Sequence, residues 1–142
     1  MTDALLLDTH IALWLDSGDT RLRAPTRFLI EECWQNGGTI CLSAVTVWEI
    51  ALLVDIGRIE LDVPVEAWVA RFLERPGIEA VPLGHRVASR SYQLRHLEQR
   101  DPADRLLIAT AIDRACLLVT YDERILRFGK RHGRHYGFAA SP

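Results

Sequence analysis

The chain has 142 residues, of which 49% are hydrophobic and 25% carry charge. A chain of this length is long enough to bury one core and short for two, so we predict a single domain over residues 1–142. Its formal net charge of −2 excludes the grossly basic balance of many nucleic-acid-binding proteins.

The cysteines and the apolar runs set expectations about the compartment. Cys33, Cys41 and Cys116 lie in apolar stretches and form no C-x-x-C pair, which is typical of buried thiols in a reducing compartment. No basic leader precedes the first apolar run, and no run approaches the roughly 18 apolar residues that span a membrane. We therefore expect a cytoplasmic protein without a membrane partner.

The first 55 residues alternate apolar runs with helical patterns. The run ALLL at 4–7 is typical of a parallel strand buried on both faces, and Asp8 follows it directly. Ser43 is a suitable helix cap. These patterns predict, in chain order, a strand at 4–8, a helix from 9 to about 15, a loop at 16–20, a helix at about 25–35, a strand at 39–43 and a helix at 44–55.

Glu49 is the one charged residue between Ser43 and Asp55. A carboxylate among apolar neighbours is unfavourable to bury unless it is paired, protonated or bound to a cation. Two interpretations stay open: Glu49 faces water on a narrow polar stripe, or it belongs to a site.

The second half of the chain continues the alternation. Asp101 followed by Pro102 is a strong helix start, because Asp caps free N–H groups and proline fits the first helical position. Asp104 then lies in the first turn of that helix. The predicted elements are a short helix at about 64–73, an edge strand at 78–83, a helix at 87–97, a helix from 102 to about 116, a buried strand at 117–120, a short helix at 123–128 and a basic tail to 142.

Strands that alternate with helices indicate an α/β fold, an open parallel sheet with helices on both faces. Sites in such sheets form beyond the carboxyl ends of the strands, where the winding direction reverses. Asp8 and Asp122 both follow apolar strands. If those two strands are neighbours, the two carboxylates lie at this edge.

Each acid also has a structural explanation when it is taken singly. Asp8 and Asp122 can cap the helices that follow them, and Asp101 and Asp104 have the spacing of a capping box. Jointly, however, the acidic placements converge on one region. Gathered carboxylates repel one another unless a divalent cation compensates, and a set of oxygen ligands favours Mg2+ or Mn2+ over Zn2+.

Four segments carry a family resemblance. The chain from Leu5 to about Ile125 resembles PIN-domain nucleases, and most closely the VapC-type ribonuclease toxins of bacterial toxin–antitoxin modules. The segments, in order, are LLLDTH, SAVTVWEIA, DPADRLLIATA and LVTYD. The resemblance implies a three-layer α/β/α sandwich with a parallel central sheet, and an enzyme that hydrolyses RNA phosphodiester bonds.

The resemblance also implies a set of site residues and partners. Asp8, Glu49, Asp104 and Asp122 would be the catalytic quartet that binds Mg2+ or Mn2+, with Thr120 as a nearby hydroxyl. A cognate antitoxin would block the site with its C-terminal segment, and the toxin would form a homodimer. The chain departs from many relatives by carrying Leu53 in place of a lysine, and Gln99-Arg100 in place of a His-Arg pair.

Arginines supply most of the positive charge, since Lys130 is the only lysine. Arginine suits phosphate because its planar guanidinium donates two hydrogen bonds at once. Candidate contacts to the RNA backbone are Arg105, Arg124, Arg127 and the cluster from Lys130 to Arg134. Either His10 touches substrate or it is buried, and we expect His132 and His135 to be exposed residues of the tail.

Two other classes of function remain open. A non-catalytic RNA- or protein-binding module would use the same fold. A phosphoacceptor domain with Asp8 as the nucleophile would share the topology, but it usually needs a lysine near a later strand end, and Lys130 lies too far along the chain. The apolar surplus at 11–15, together with Trp14, Trp48 and Trp68, indicates either a groove for a partner helix or ordinary core aromatics.

Overall fold

A computed structural model describes residues 3–142 and contains a five-stranded sheet. Neighbouring strands are all parallel, and their order is β3-β2-β1-β4-β5. The strands are β1 (Ala4–Leu7), β2 (Thr39–Ser43), β3 (Ile78–Val81), β4 (Leu117–Val119) and β5 (Ala139–Ser141). The predicted α/β class with a parallel central sheet is confirmed.

Successive side chains of a strand point to opposite faces of the sheet. Since the central strand β1 is apolar throughout, both faces are apolar there and helices cover both. Leu6 of β1 packs into one core cluster, and Leu5 and Leu7 pack into the other. The helices are α1 (Thr9–Ser17), α2 (Ala24–Gln35), α3 (Ala44–Asp55), α4 (Val65–Leu73), α5 (His85–Arg90), α6 (Pro102–Arg114) and α7 (Glu123–Tyr136). Among the described residues, no helix is long and apolar enough to cross a bilayer.

The winding direction reverses at β1. From β1 the chain builds β2 and β3 on one side, and it later returns to place β4 and β5 on the other. Leu7 of β1 is in register with Val119 of β4. The predicted adjacency of the two acid-terminated strands is therefore confirmed, and their carboxyl ends meet at one edge.

The helix predicted at 87–97 is wrong beyond Arg90, where α5 ends. Residues 91–99 form turns and irregular chain instead. The guanidinium of Arg105 takes over the role of the helical N–H groups, because it donates to the carbonyl oxygens of Ser91, Leu97 and Gln99 at 2.8–3.0 Å.

The basic tail predicted after 128 is also wrong. Helix α7 continues to Tyr136, and the chain then returns to the sheet as β5. Gly133 permits this tight return, because a Cβ there would lie closer than 3.0 Å to the carbonyl oxygen of Phe138. The same backbone approach places the Phe138 N–H 2.8 Å from the carbonyl oxygen of Gly133.

This close approach gives a testable prediction. Alanine is the better helix former by about 1 kcal/mol, yet Gly133→Ala should lower the free energy of unfolding by about 1–3 kcal/mol through overpacking. Urea denaturation followed by circular dichroism measures the difference. Gly129→Ala is the matched control, since its Cβ would meet a ring carbon of Phe138 at 3.3 Å, which can shift, so the loss should be smaller. A Gly133→Ala protein as stable as the wild type would contradict the packing account.

Candidate active site

The four acids predicted as a quartet lie at the carboxyl edge of the sheet and line one cavity of about 330 Å3. Asp8 follows β1 directly, and Asp122 comes shortly after β4. Glu49 comes from α3, and Asp104 comes from the first turn of α6. Four separate elements of the chain therefore contribute acids to the same place.

Asp8 is held by two donors. Its Oδ1 accepts from the backbone N–H of Thr9 at 2.8 Å, and its Oδ2 accepts from the hydroxyl of Thr120 at 2.6 Å. The Thr120 oxygen in turn accepts from the backbone N–H of Asp122 at 3.0 Å. Burial raises the pKa of Asp8, and the hydrogen bonds from Thr120 and Thr9 partly offset this effect. The fully buried Thr120 hydroxyl is thus committed to linking the ends of β1 and β4.

Glu49 does not lie on a simple water-facing stripe. The hydroxyl of Thr9 donates to its Oε1 at 2.5 Å. Burial raises the pKa of Glu49, and the charges of Asp8 and Asp101 add to the rise. The site interpretation of Glu49 is the one that fits this half-buried position among other acids.

The pKa of the Asp104 carboxyl is strongly perturbed. Burial, followed by the charges of Asp101 and Asp8, raises its pKa to about 7. The side-chain amide of Gln99 donates to its Oδ2 and opposes the rise. Near neutral pH, this carboxyl is therefore about half protonated in the metal-free protein.

Asp101 is a fifth acid in the cavity, and the sequence predicted only its capping role. That role is present, because its Oδ1 accepts from the N–H groups of Ala103 at 2.9 Å and Asp104 at 3.4 Å. Asp122 caps α7 in the same way, through the N–H groups of Arg124 and Ile125. An acid can thus cap a helix and line the acidic cavity at the same time. The sequence spacing of Asp101 predicts the cap in either case, so it gave no signal that this acid also lines the cavity.

The donor set fits a hydrated divalent cation. The carboxylates offer oxygen ligands alone, and burial, with a smaller effect from the charges of neighbouring acids, raises the pKa values of Asp8, Glu49 and Asp104. Over residues 3–142, no three carboxylate, imidazole or thiol groups are close enough to hold one ion together. Mg2+ commonly takes one or two carboxylates and keeps several waters, so a cation in this cavity would take part of its ligands from water.

The predicted phosphate contacts fall into two groups. Arg124 lines the cavity, is exposed, and has its Nη2 3.7 Å from Oδ2 of Asp122. Arg105 is instead committed to three backbone carbonyls and lies over the ring of Tyr92 at 5.1 Å. This arrangement favours a structural role for Arg105 over contact with substrate. The other basic residues stand exposed along α7: Arg127, Lys130, Arg131 and Arg134.

The positions of three histidines differ in part from those predicted. His10 is exposed at the cavity, 5.6 Å from the ring of Trp14, so the buried alternative is wrong. His132 and His135 belong to α7 rather than to a tail. The ring of His96 stacks on His132 at 4.4 Å.

A larger groove of about 900 Å3 adjoins the acidic cavity, because His10 and Trp14 line both. Leucines such as Leu13, Leu53 and Leu61 also line it. Trp68 is buried against Phe72, as an ordinary core aromatic would be.

Comparison with known proteins gives consistent matches. Residues 5–131 match the family model described as PIN domain. The chain is 33% identical over 121 residues to Ribonuclease VapC22 of Mycobacterium tuberculosis, which covers 85% of this chain and 88% of the relative.

Solved structures with the same fold include two protein complexes. VapBC2 from Rickettsia felis, bound to a DNA fragment from its promoter, matches with a TM-score of 0.65, 17% identity and 97% coverage of both chains. A toxin–antitoxin complex from Klebsiella pneumoniae matches with a TM-score of 0.60, 20% identity and 95% coverage of both chains. At these identities the match concerns the fold.

The raised pKa of Asp104 predicts how stability changes with pH. Its carboxyl titrates near 3.8 when unfolded and at about 7 when folded. The folded state therefore binds more protons between these values, and the free energy of unfolding should fall as pH rises from about 4 to 7. Asp104→Asn should flatten this dependence and make the metal-free protein more stable than the wild type above pH 7.

Urea denaturation with a chelator over that pH range measures this effect. Asp55→Asn is the matched control, since it makes the same change at an exposed position at the end of α3, outside the cavity. It should keep the wild-type slope between pH 4 and 7. An Asp104→Asn slope equal to that of the wild type would show that the carboxyl is not perturbed.

Proposed function

The chain belongs to the PIN domain family, and from this premise we propose that it is a metal-dependent endoribonuclease, the toxin of a toxin–antitoxin module. The observation that carries the proposal is the meeting of Asp8, Glu49, Asp104 and Asp122 in one cavity. Support also comes from the relative at 33% identity, which is named a ribonuclease.

These four acids would hold Mg2+ or Mn2+, in part through water. The cation would supply an acidified water and positive charge beside the phosphoryl oxygens. The chain's own groups set the geometry around it. Thr120 and Thr9 hold the carboxylates of Asp8 and Glu49 by hydrogen bonds, so these groups need little reorganisation when substrate arrives.

The reaction is hydrolysis of an RNA phosphodiester. The oxygen of a water forms a bond to phosphorus, the bond from phosphorus to O3′ breaks, and a proton passes to the departing O3′. The products carry a 5′-phosphate and a 3′-hydroxyl. We expect Arg124 at the cavity, and the exposed basic residues Arg127, Lys130, Arg131 and Arg134 of α7, to bind backbone phosphates on the approach to the site.

The groove beside the cavity is the proposed binding place of an antitoxin segment. Its lining mixes charged residues with Leu13, Leu53 and Leu61, a combination that suits a partner helix with an apolar face and charged flanks. Because His10 and Trp14 border both the groove and the cavity, a segment lying in the groove reaches the acids directly. Two structural neighbours are complexes of toxin with antitoxin.

An apolar stripe along α3 and its C-cap residue Ile56 is the proposed contact with a second copy of the chain. Trp48, Leu52 and Ile56 follow one another at intervals of four residues and are 59%, 42% and 53% exposed. Residues at this spacing lie on one face of a helix, and a contiguous exposed apolar face is typical of an interface.

The nuclease proposal predicts cleavage that depends on both metal and acid. The protein, purified free of antitoxin, should cut members of a defined RNA panel in Mg2+ or Mn2+ and not in chelator. Asp8→Asn should lower the rate by at least about 100-fold, the size of effect seen when one electrostatic group is removed from an active site. Gel electrophoresis measures the rate, and a 5′-phosphate-dependent exonuclease identifies the product ends.

Asp113→Asn should cut like the wild type, because Asp113 lies outside the cavity. Equal cutting by wild type and Asp8→Asn would refute the catalytic assignment. Binding of RNA without any cutting would instead favour a non-catalytic RNA-binding module.

If the stripe is the dimer contact, one substitution in it should halve the molecular mass of the particle in solution. Trp48→Arg should place a charge in the stripe and convert a dimer into a monomer, as measured by sedimentation equilibrium. Phe28→Arg is the matched control, since Phe28 is an aromatic residue 65% exposed on α2. A monomeric wild type, or a dimeric Trp48→Arg variant, would argue against this surface.

A further inference from the structure

The side-chain amide of Gln99 is buried next to the carboxylate of Asp104. Gln99 is only 5% exposed, and its amide nitrogen donates to Oδ2 of Asp104. Its amide oxygen is buried without a hydrogen-bond partner among the described residues. Buried polar atoms in folded proteins are nearly always paired, so this amide oxygen is an exception to the general pattern.

The backbone of Gln99 is fixed by the helix that carries Asp104. Residues 91–99 have no regular structure that would set the direction of the Gln99 side chain. The Nε of Arg105 donates to the Gln99 carbonyl oxygen at 2.9 Å, and its two terminal nitrogens donate to Ser91 and Leu97. Arg105 follows Asp104 directly on α6. The same turn of helix therefore carries the Asp104 carboxylate and the guanidinium that binds the backbone of Gln99.

The same arrangement recurs at the other acids with raised pKa values. The hydroxyl of Thr120 donates to Asp8, and the hydroxyl of Thr9 donates to Glu49. Gln99 completes this set at Asp104. All three donors are uncharged, so each fixes one carboxylate oxygen without bringing a positive charge that would compete with a cation.

We propose that Gln99 is a positioning residue for the cation site, and that Arg105 fixes Gln99 in place. The inference rests on the proposed function of the acidic cavity. By occupying Oδ2, Gln99 sets the plane of the Asp104 carboxylate and leaves the second oxygen available to a cation or to its water. Hydrogen-bond partners behind metal ligands typically change metal affinity or activity by 10–100-fold when they are removed.

Mn2+ binding measured by electron paramagnetic resonance tests this role without relying on catalysis. Gln99→Met keeps the length of the side chain and removes the donor, and it should weaken Mn2+ binding by about 10–100-fold. Gln99→Asn is one methylene shorter and should weaken it similarly. Gln99→His restores an N–H donor and should recover most of the affinity.

Gln93→Met is the matched control, since it makes the same change at an exposed position of the same segment. It should bind Mn2+ like the wild type. All measurements are made well below each unfolding midpoint, where a loss of stability alone does not change the affinity of the folded protein. Gln99→Asn keeps the test valid if Gln99→Met does not fold.

The outcomes separate the two proposals. If Gln99→Met and Gln99→Asn bind Mn2+ like the wild type while Asp104→Asn does not, the positioning role is overturned and the proposed cation site stands. If Asp104→Asn and wild type bind Mn2+ equally, the cation site itself fails, and the role of Gln99 fails with it.

Discussion

The pairing of β1 with β4 is the constraint on which the rest of the site depends. The N–H of Asp8 donates to the carbonyl oxygen of Val119 at 3.0 Å, which extends the parallel ladder by one bond beyond β1. The Thr120 hydroxyl then reaches Asp8 across a sequence separation of 112 residues. Because the sheet fixes these distances, the carboxylates at the two strand ends remain together even though their charges repel.

The fold contains several features that lessen this repulsion. Asp8, Asp101 and Asp122 each cap a helix, so the N-termini of α1, α6 and α7 all lie at the cavity. Helix N-termini carry partial positive charge, which stabilises nearby carboxylates and also attracts phosphate. Burial acts in the opposite direction, and for Asp104 burial is the larger effect, since its pKa rises to about 7.

Much of the fold, and the places of Asp8 and Asp122 at strand ends, could be predicted because their signals are local, whereas the full set of four acids was implied by the family resemblance. An apolar run such as ALLL identifies a buried strand, and an acid at its end identifies the carboxyl edge. Three parts of the fold lacked such signals. Strand β5 consists of three small residues, and α7 passes through Gly129 and Gly133, which read as breaks in a helix. The irregular segment 91–99 depends on Arg105, whose role is set by tertiary contacts alone.

The distribution of charge is compatible with the RNA substrate proposed for this chain, although its net charge is −2. The acids are gathered in one cavity, whereas exposed arginines continue along α7, the helix that starts at Asp122. Phosphates would be repelled by the bare carboxylates and attracted by the helix beside them. A cation that offsets the carboxylates would therefore remove the barrier at the cavity and leave the attraction of α7 in place, so metal binding would prepare the site for RNA as well as for chemistry.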